Sequence, residues 1–99
     1  MIIGIEGFDW DKGNIVKCQK HGLSQEEIES FFHGEIFVAP DIKHSQAEER
    51  FIAVGYAFSG KPMIVVFAIR NNLIRPISAS FMHSKEAKAY EKNFTQDKK

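Results

Sequence analysis

The sequence predicts an α+β domain in which one antiparallel β-sheet is packed with helices. Three apolar, strand-like segments follow one another over residues 50–58, 63–70 and 73–80, and only short turns separate them. Two segments with helical spacing precede this run and one follows it. We therefore expect a meander of three strands, one or two N-terminal strands, two N-terminal helices and one C-terminal helix.

The N-terminal third is expected to contain one short strand and two helices. Residues 2–8 are apolar and β-branched, as in a strand, although two glycines weaken the pattern. A leading aspartate and a following glycine predict a helix over residues 11–21. Ser24 and Glu27 have the spacing of a capping box, which predicts a second helix over residues 25–33.

The later strands differ in their expected places in the sheet. Residues 36–39 are typical of a short strand that ends at Pro40, and residues 42–49 form a polar loop. Residues 63–69 are apolar throughout, which predicts a central strand covered on both faces. Pro76 has no N–H to donate, so we expect the third strand of the meander to lie at an edge.

The C-terminal segment predicts one more helix and a short tail. Ser84 is expected to cap this helix, because serine favours the position before the first helical turn. No internal repeat or low-complexity tract divides the chain. We therefore expect a single domain over residues 1–94 and a disordered tail over residues 95–99.

The composition excludes several classes of protein. With 99 residues, 43% of them hydrophobic and 26% charged, the chain is neither disordered nor able to span a membrane. The single cysteine, Cys18, cannot form an internal disulfide, and no Cys/His cluster has the spacing of a metal site. We therefore expect a cytoplasmic protein without cofactor or metal, in which Cys18 is a core residue rather than a nucleophile.

The charges are balanced in total but unevenly distributed. Residues 1–60 contain five basic and ten acidic side chains, whereas residues 61–99 contain eight and three. The two parts therefore carry net charges of −5 and +5. This asymmetry can place a basic face on a neutral protein, or it can reflect solvated helices alone.

The three arginines are the strongest candidates for chemistry. Arg50, Arg70 and Arg75 all fall in the predicted sheet, and the turn at residues 71–72 brings the last two close together. The guanidinium group presents a fixed fork of donors that suits phosphate oxygens. Surface ion pairs with the carboxylates are the alternative, and by spacing alone we favour it.

The histidines allow functional and structural interpretations. His21 falls at a helix end, where a cation stabilises the helix without any further function. His44 shares a loop with Glu48 and Glu49, an arrangement that suits either a general base with its orienting partner or a set of solvated charges. His83 precedes the last helix and can protonate a leaving group or help to cap that helix.

Segments spread in order over roughly residues 8–92 carry a resemblance to a known family, and three blocks among them are the most specific. They are Phe8-Asp9-Trp10-Asp11, Lys20-His21-Gly22 and Arg75-Pro76-Ile77-Ser78-Ala79. Together they resemble the BrnT family of bacterial ribonuclease toxins. The resemblance implies a fold similar to the RelE-like toxins, and metal-independent cleavage of RNA by attack of the ribose 2′-hydroxyl on the adjacent phosphate.

The resemblance also implies partners and site residues. The toxin is expected to be neutralised by a cognate BrnA-like antitoxin of the ribbon-helix-helix class, and to reach operator DNA only through that antitoxin. The implied catalytic candidates, with base and acid unassigned, are Arg70, Arg75, Glu48, Glu49, His21 and His83. The implied RNA-binding candidates are Lys17, Lys20, Arg50 and Lys85.

Two positions depart from the family pattern. Members generally have an arginine where this chain has Ser80, and often a threonine where it has Ala68. Loss of one phosphate-binding group from a catalytic set costs about 10²-fold in rate. The alternative prediction is therefore a catalytically weakened or inactive module. Such a module binds its antitoxin, with or without binding RNA, and does not cleave RNA.

Overall fold

The computed structural model describes the backbone of residues 4–96 and the side chains of residues 4–90 and 92, and its sheet contains five strands. The start of the predicted first strand, residues 2–3, and residues 97–99 of the predicted tail lie outside this range. The strands are β1 (Gly7–Phe8), β2 (Ile36–Pro40), β3 (Phe51–Tyr56), β4 (Pro62–Arg70) and β5 (Leu73–Phe81). The α-helices are α1 (Lys12–Gln19), α2 (Gln25–His33) and α3 (Ser84–Gln96), and one short 3-10 helix spans Ile42–His44.

The sheet has the order β1-β5-β4-β3-β2 and is mixed rather than antiparallel. Strands β3, β4 and β5 form the predicted antiparallel meander, and β2 pairs antiparallel with β3. Strand β1, however, pairs parallel with β5 through Gly7 opposite Leu73 and Phe8 opposite Ile74. The α+β class is confirmed and the all-antiparallel sheet is wrong, because no hairpin fixes the direction of a strand that pairs across most of the chain.

The expected edge position of the strand that contains Pro76 is also wrong. Strand β5 lies between β1 and β4, so the edges of the sheet are β1 and β2. The missing N–H is tolerated because the ladder is interrupted at this point: Val66 pairs with Ser78 but Phe67 pairs with Pro76, which leaves Ile77 as an extra residue. The ladder to β1 has already ended beside Ile74.

Helices cover both faces of the sheet. The larger buried cluster joins α1 and α2 to one face and includes the fully buried Phe31, Phe32 and Phe67. A smaller cluster joins α3 to the other face through Met82 and Ala87. These are opposite faces, because successive side chains of a strand alternate and adjacent residues of β3 belong to different clusters.

The helix starts show how local sequence sets the boundaries. Helix α2 has the predicted capping box, in which Ser24 accepts from the Glu27 N–H at 3.1 Å. Helix α3 begins at Ser84 itself, and the N–H of His83 donates to the Glu86 carboxylate at 3.4 Å. His83 thus occupies the cap position predicted for Ser84, and its N–H donates to the carboxylate that a glutamate three residues after the cap provides.

Cys18 is a core residue, as the sequence predicts. It lies on α1, and its side chain is buried within the larger cluster. Burial raises the pKa of its thiol to about 11. The reactive thiolate is therefore scarce at neutral pH, and Cys18 contributes packing rather than chemistry.

Phe67 is expected to be one of the most costly residues to remove. Its ring stacks on Phe51 at a centroid distance of 5.4 Å and meets the edge of Phe32 at 5.1 Å. Phe67→Ala should lower the free energy of unfolding by about 3–5 kcal/mol, measured by equilibrium denaturation in urea. Phe58→Ala is the matched control, because Phe58 is 97% exposed and its loss should change stability by less than about 0.5 kcal/mol. Equal costs for the two variants would contradict this description of the core.

Candidate functional site

A concave region of about 740 Å³ lies between the start of α1, the loop before β3 and the adjoining ends of β4 and β5. We call this region the arginine cleft. Five cations and two carboxylates contribute its charged lining: Lys12, Lys17, Arg50, Arg70, Arg75, Asp11 and Glu48. The cleft therefore combines a basic excess with acidic groups of the same chain.

Strand register explains why the three arginines meet. Arg75 on β5 lies directly opposite Ala68 on β4, and Arg70 follows Ala68 by two residues on the same face. Arg50 immediately precedes β3. Because Phe51 pairs with Phe67, the next step of the same register places Arg50 beside Ala68. Ala68 itself is fully buried, and the side chains of the three arginines line the cleft beside it.

The turn between β4 and β5 brings two of these arginines, Arg70 and Arg75, close together. Asn71 and Asn72 have positive φ angles of 52° and 64°, the conformation that a two-residue hairpin turn requires. Asparagine tolerates this backbone conformation better than most residues. The tight turn sets Arg70 opposite Leu73 and brings Arg75 to the same end of the sheet, as the sequence predicts.

Arg70 is held by a carboxylate of its own chain. Its Nε donates to Glu48 Oε2 at 2.6 Å and its Nη2 donates to Oε1 at 2.9 Å, a bidentate pair. The hydrogen bond from Arg70 holds the pKa of the Glu48 carboxyl below its usual range. A carboxylate in this state is a weak base until its partner moves away.

Arg75 is also paired, but with the segment between β1 and α1. Its Nη2 donates to Asp11 Oδ2 at 2.6 Å, and its Nη1 lies 3.5 Å from Asp9 Oδ1. The pKa of the Asp11 carboxyl is lowered, chiefly because it accepts from the Asn14 backbone N–H and next because of Arg75. The ion-pair interpretation of the arginines therefore describes both Arg70 and Arg75.

Asn14 fixes the geometry around Arg75. Its side chain is buried, and its Nδ2 donates to the carbonyl oxygens of Asp9 and Pro76, both at 2.9 Å. Its Oδ1 accepts from the Asp11 N–H at 2.7 Å. One amide thus ties the end of β1, the start of α1 and the middle of β5 together.

Arg50 differs from the other two arginines. Its backbone N–H donates to Ser45 Oγ at 2.9 Å and its carbonyl accepts from the Asp41 N–H at 2.8 Å, which fixes its position. Its guanidinium group makes no ion pair with any side chain of residues 4–90 or 92. His44 in the same loop pairs with Asp41, at 3.0 Å from Nδ1 to Oδ2, and not with the neighbouring glutamates.

The remaining predicted site residues lie outside the lining of the arginine cleft. All are exposed: Lys20, His21, Glu49, His83 and Lys85. The structure therefore brings together Lys17, Glu48 and the three arginines, and adds no histidine from the part of the chain that it describes.

Sequence analysis missed three residues of the site. We predicted Asp11 only as a helix cap, and we gave no role to Asp9 or Asn14. The signal was the Asp11-to-Asn14 spacing, which forms a reciprocal capping box at the start of α1. The contacts to Arg75 could not be predicted from that spacing, because they bridge residues more than sixty positions apart.

Two further findings bear on the class of the protein. Among the side chains of residues 4–90 and 92, no group of three or more His, Cys, Asp or Glu is arranged to hold a metal ion. In the same range every helix is too short or too polar to cross a membrane.

The fold and the cleft together define a small α+β protein with a cleft lined by five cations and two carboxylates. A family model described as "Ribonuclease toxin, BrnT, of type II toxin-antitoxin system" matches residues 10–86, a range that includes the whole lining of the arginine cleft. The chain belongs to this family, which implies an antitoxin partner. No curated protein and no solved structure gives a significant match to the chain.

The role of Asn14 can be tested by its effect on stability. Asn14→Ala removes three hydrogen bonds and leaves buried carbonyl groups without a donor, so it should cost about 3 kcal/mol of unfolding free energy in urea denaturation. Asn14→Asp keeps the acceptor but has no N–H to donate, so its cost should be similar. Gln19→Ala, an exposed change on the same helix, should cost less than about 0.5 kcal/mol. A cost below about 1 kcal/mol for both Asn14 variants would show that the amide does not hold this region.

Proposed function

We propose that the protein is an endoribonuclease toxin that cleaves RNA in the arginine cleft without a metal ion and is neutralised by its antitoxin. The convergence of Arg50, Arg70 and Arg75 on one end of one sheet face carries this proposal. Guanidinium groups fixed on strands can bind a phosphodiester and stabilise the negative charge that develops on it. Membership in the ribonuclease toxin family supports the same conclusion.

The proposed reaction uses the RNA itself as the nucleophile. The ribose 2′-hydroxyl gives its proton to a base of the protein, and its oxygen attacks the adjacent phosphorus. The bond from phosphorus to the 5′-oxygen breaks, and that oxygen takes a proton from an acid. The products are a 2′,3′-cyclic phosphate and a 5′-hydroxyl. Arg70 and Arg75 stabilise the phosphorane-like transition state through their N–H donors.

The lining of the cleft suggests which groups transfer the protons. Glu48 is the proposed base, because it is the cleft carboxylate that comes from a loop and has no helix to cap. Lys17 is the proposed acid, since its ammonium group can donate to the departing 5′-oxygen. We assign no proton transfer to His21 or His83, because both lie outside the cleft lining.

The remaining basic residues would extend the contact with RNA. Arg50 and Lys12 line the cleft and can bind phosphates on either side of the cleaved bond. Lys20 and Lys85 are exposed outside it and would add weaker, salt-dependent attraction.

The antitoxin and the wider fold are part of the same proposal. The family supports a BrnA-like antitoxin of the ribbon-helix-helix class, through which the pair would bind operator DNA. A cytoplasmic site of action follows from an RNA substrate. The antiparallel meander with helices on both faces supports a RelE-like fold.

Removal of the cleft arginines should reduce cleavage. Arg70→Ala and Arg75→Ala should each lower the rate of RNA cleavage by about 10²-fold, because each removes a donor to the transition state. The assay uses the purified full chain, a labelled RNA and EDTA, with product ends identified as cyclic phosphate and 5′-hydroxyl. Lys88→Ala, an exposed change on α3, is the control and should leave the rate unchanged. Cleavage that needs added metal, or that survives Arg70→Ala at full rate, would refute the proposed site.

A second candidate function is a module that binds its antitoxin but does not cleave RNA. Ser80 favours it, since the family resemblance leads us to expect an arginine there. Ser80 lies opposite Ile64 on the face that also carries Arg75. An arginine at this position would therefore extend the basic surface along the strand.

Ser80→Arg separates the two candidates. If the chain is an active toxin, induced expression of the parent stops growth and its purified form cleaves RNA, and Ser80→Arg should increase the rate by at most about tenfold. A silent parent whose Ser80→Arg variant cleaves RNA would instead establish the non-catalytic module. Circular dichroism of both chains checks that the half-buried position accepts the larger side chain.

A further inference from the structure

The arginine cleft is partly filled by acidic groups of its own chain. Glu48 occupies Arg70, and Asp11 occupies Arg75. We propose that Glu48 is a displaceable internal competitor of RNA at Arg70, whereas Asp11 stays on Arg75 and only orients it. This inference rests on the proposed function and adds to it a regulation of the same site.

The contact between Glu48 and Arg70 uses the donors that a phosphate needs. Arg70 Nε has a single hydrogen, which it donates to Glu48 Oε2, and the distance from Nε to Oε2 is 2.6 Å. Together with Nη2 it forms the edge of the guanidinium group that binds two oxygens of a carboxylate or a phosphate in parallel. A phosphodiester cannot occupy that edge while Glu48 does, so the two ligands exclude each other.

The two carboxylates are held to different degrees. Glu48 lies in the segment between the 3-10 helix and β3, and in the described part of the chain its side chain is hydrogen-bonded only to Arg70. Asp11 instead also caps α1, since its Oδ1 accepts from the Asn14 N–H at 3.0 Å. Displacement of Asp11 would cost the helix its cap, whereas displacement of Glu48 breaks one exposed ion pair.

The two arginines differ in exposure. The side chain of Arg70 is 48% exposed and that of Glu48 is 29% exposed, so solvent and ligands reach this pair. The Asp11 side chain is 51% exposed but the Arg75 side chain is only 18% exposed, so access to the arginine, and not to the carboxylate, distinguishes the two pairs. Arg50, which has no ion pair in the described part of the chain, can receive a phosphate first and hold the RNA beside Arg70. Once RNA displaces Glu48, the carboxylate loses the partner that lowers its pKa and becomes a better base.

The experiment measures binding without cleavage. The probe is a fluorescein-labelled, fully 2′-O-methylated oligonucleotide, which lacks the nucleophile, and its dissociation constant with the full chain is measured by fluorescence anisotropy at fixed salt. Glu48→Gln removes the competing charge. Glu49→Gln is the matched control, because it makes the same charge change at the adjacent exposed position, whose side chain has no ion pair in the described chain. Glu48→Gln should bind the probe about threefold more tightly than Glu49→Gln.

Two further variants assign the effect to Arg70. In an Arg70→Ala background, Glu48→Gln and Glu49→Gln should bind equally, because no arginine remains for Glu48 to occupy. Asp11→Asn keeps a capping side chain at the start of α1 and should bind no more tightly than Glu49→Gln. Under the proposed function, Glu48→Gln should also lower the cleavage rate while it tightens binding of the probe. A purely structural role of Glu48 would not produce these two effects in opposite directions.

The outcomes distinguish failure of this inference from failure of the proposed function. If Arg70→Ala weakens binding but Glu48→Gln and Glu49→Gln bind equally, the internal competitor is refuted and the RNA site stands. If Asp11→Asn gains as much as Glu48→Gln, the fixed role of Asp11 is refuted. If Arg70→Ala binds the probe as tightly as the parent, Arg70 does not bind RNA and both proposals fail.

Discussion

The arginine cleft depends on the buried amide of Asn14. Pro76 cannot donate a ladder hydrogen bond, and the pairing of β1 with β5 ends at Ile74, two residues earlier on the same strand. The two N–H groups of Asn14 bind the carbonyls of Asp9 and Pro76 at that point, so a side chain replaces the missing ladder. The same amide caps α1 and sets Asp11 against Arg75.

The neutral charge of the chain is compatible with an anion-binding site because the charges are paired locally. Arg70 and Arg75 are balanced by carboxylates that lie in the acidic first part of the sequence. An exposed ion pair such as that of Arg70 with Glu48 contributes little to stability, so a multivalent anion can replace it at small cost. Neutrality therefore describes the free protein and places little restraint on what the cleft can bind.

The sequence predicted what adjacent residues determine. The capping box of α2, the meander and the tight turn at Asn71 and Asn72 all follow from short patterns, and the turn placed Arg70 and Arg75 together. The parallel direction of β1 and the interior position of Pro76 could not be predicted, because both depend on pairing between the two ends of the chain. The carboxylate partners of the arginines are distant in sequence for the same reason.

Ser80 lies apart from the three arginines that line the cleft. Ser80 pairs with Ile64, whereas the arginines surround Ala68, four residues farther along β4. That separation is about 13 Å along the strand, so under the proposed function an arginine at position 80 would bind a different part of an RNA from the three that converge. Ile64 also packs against α3, which covers that end of the face. Under the proposed function, this geometry favours a toxin with a shorter contact to RNA over one whose phosphate site is dismantled.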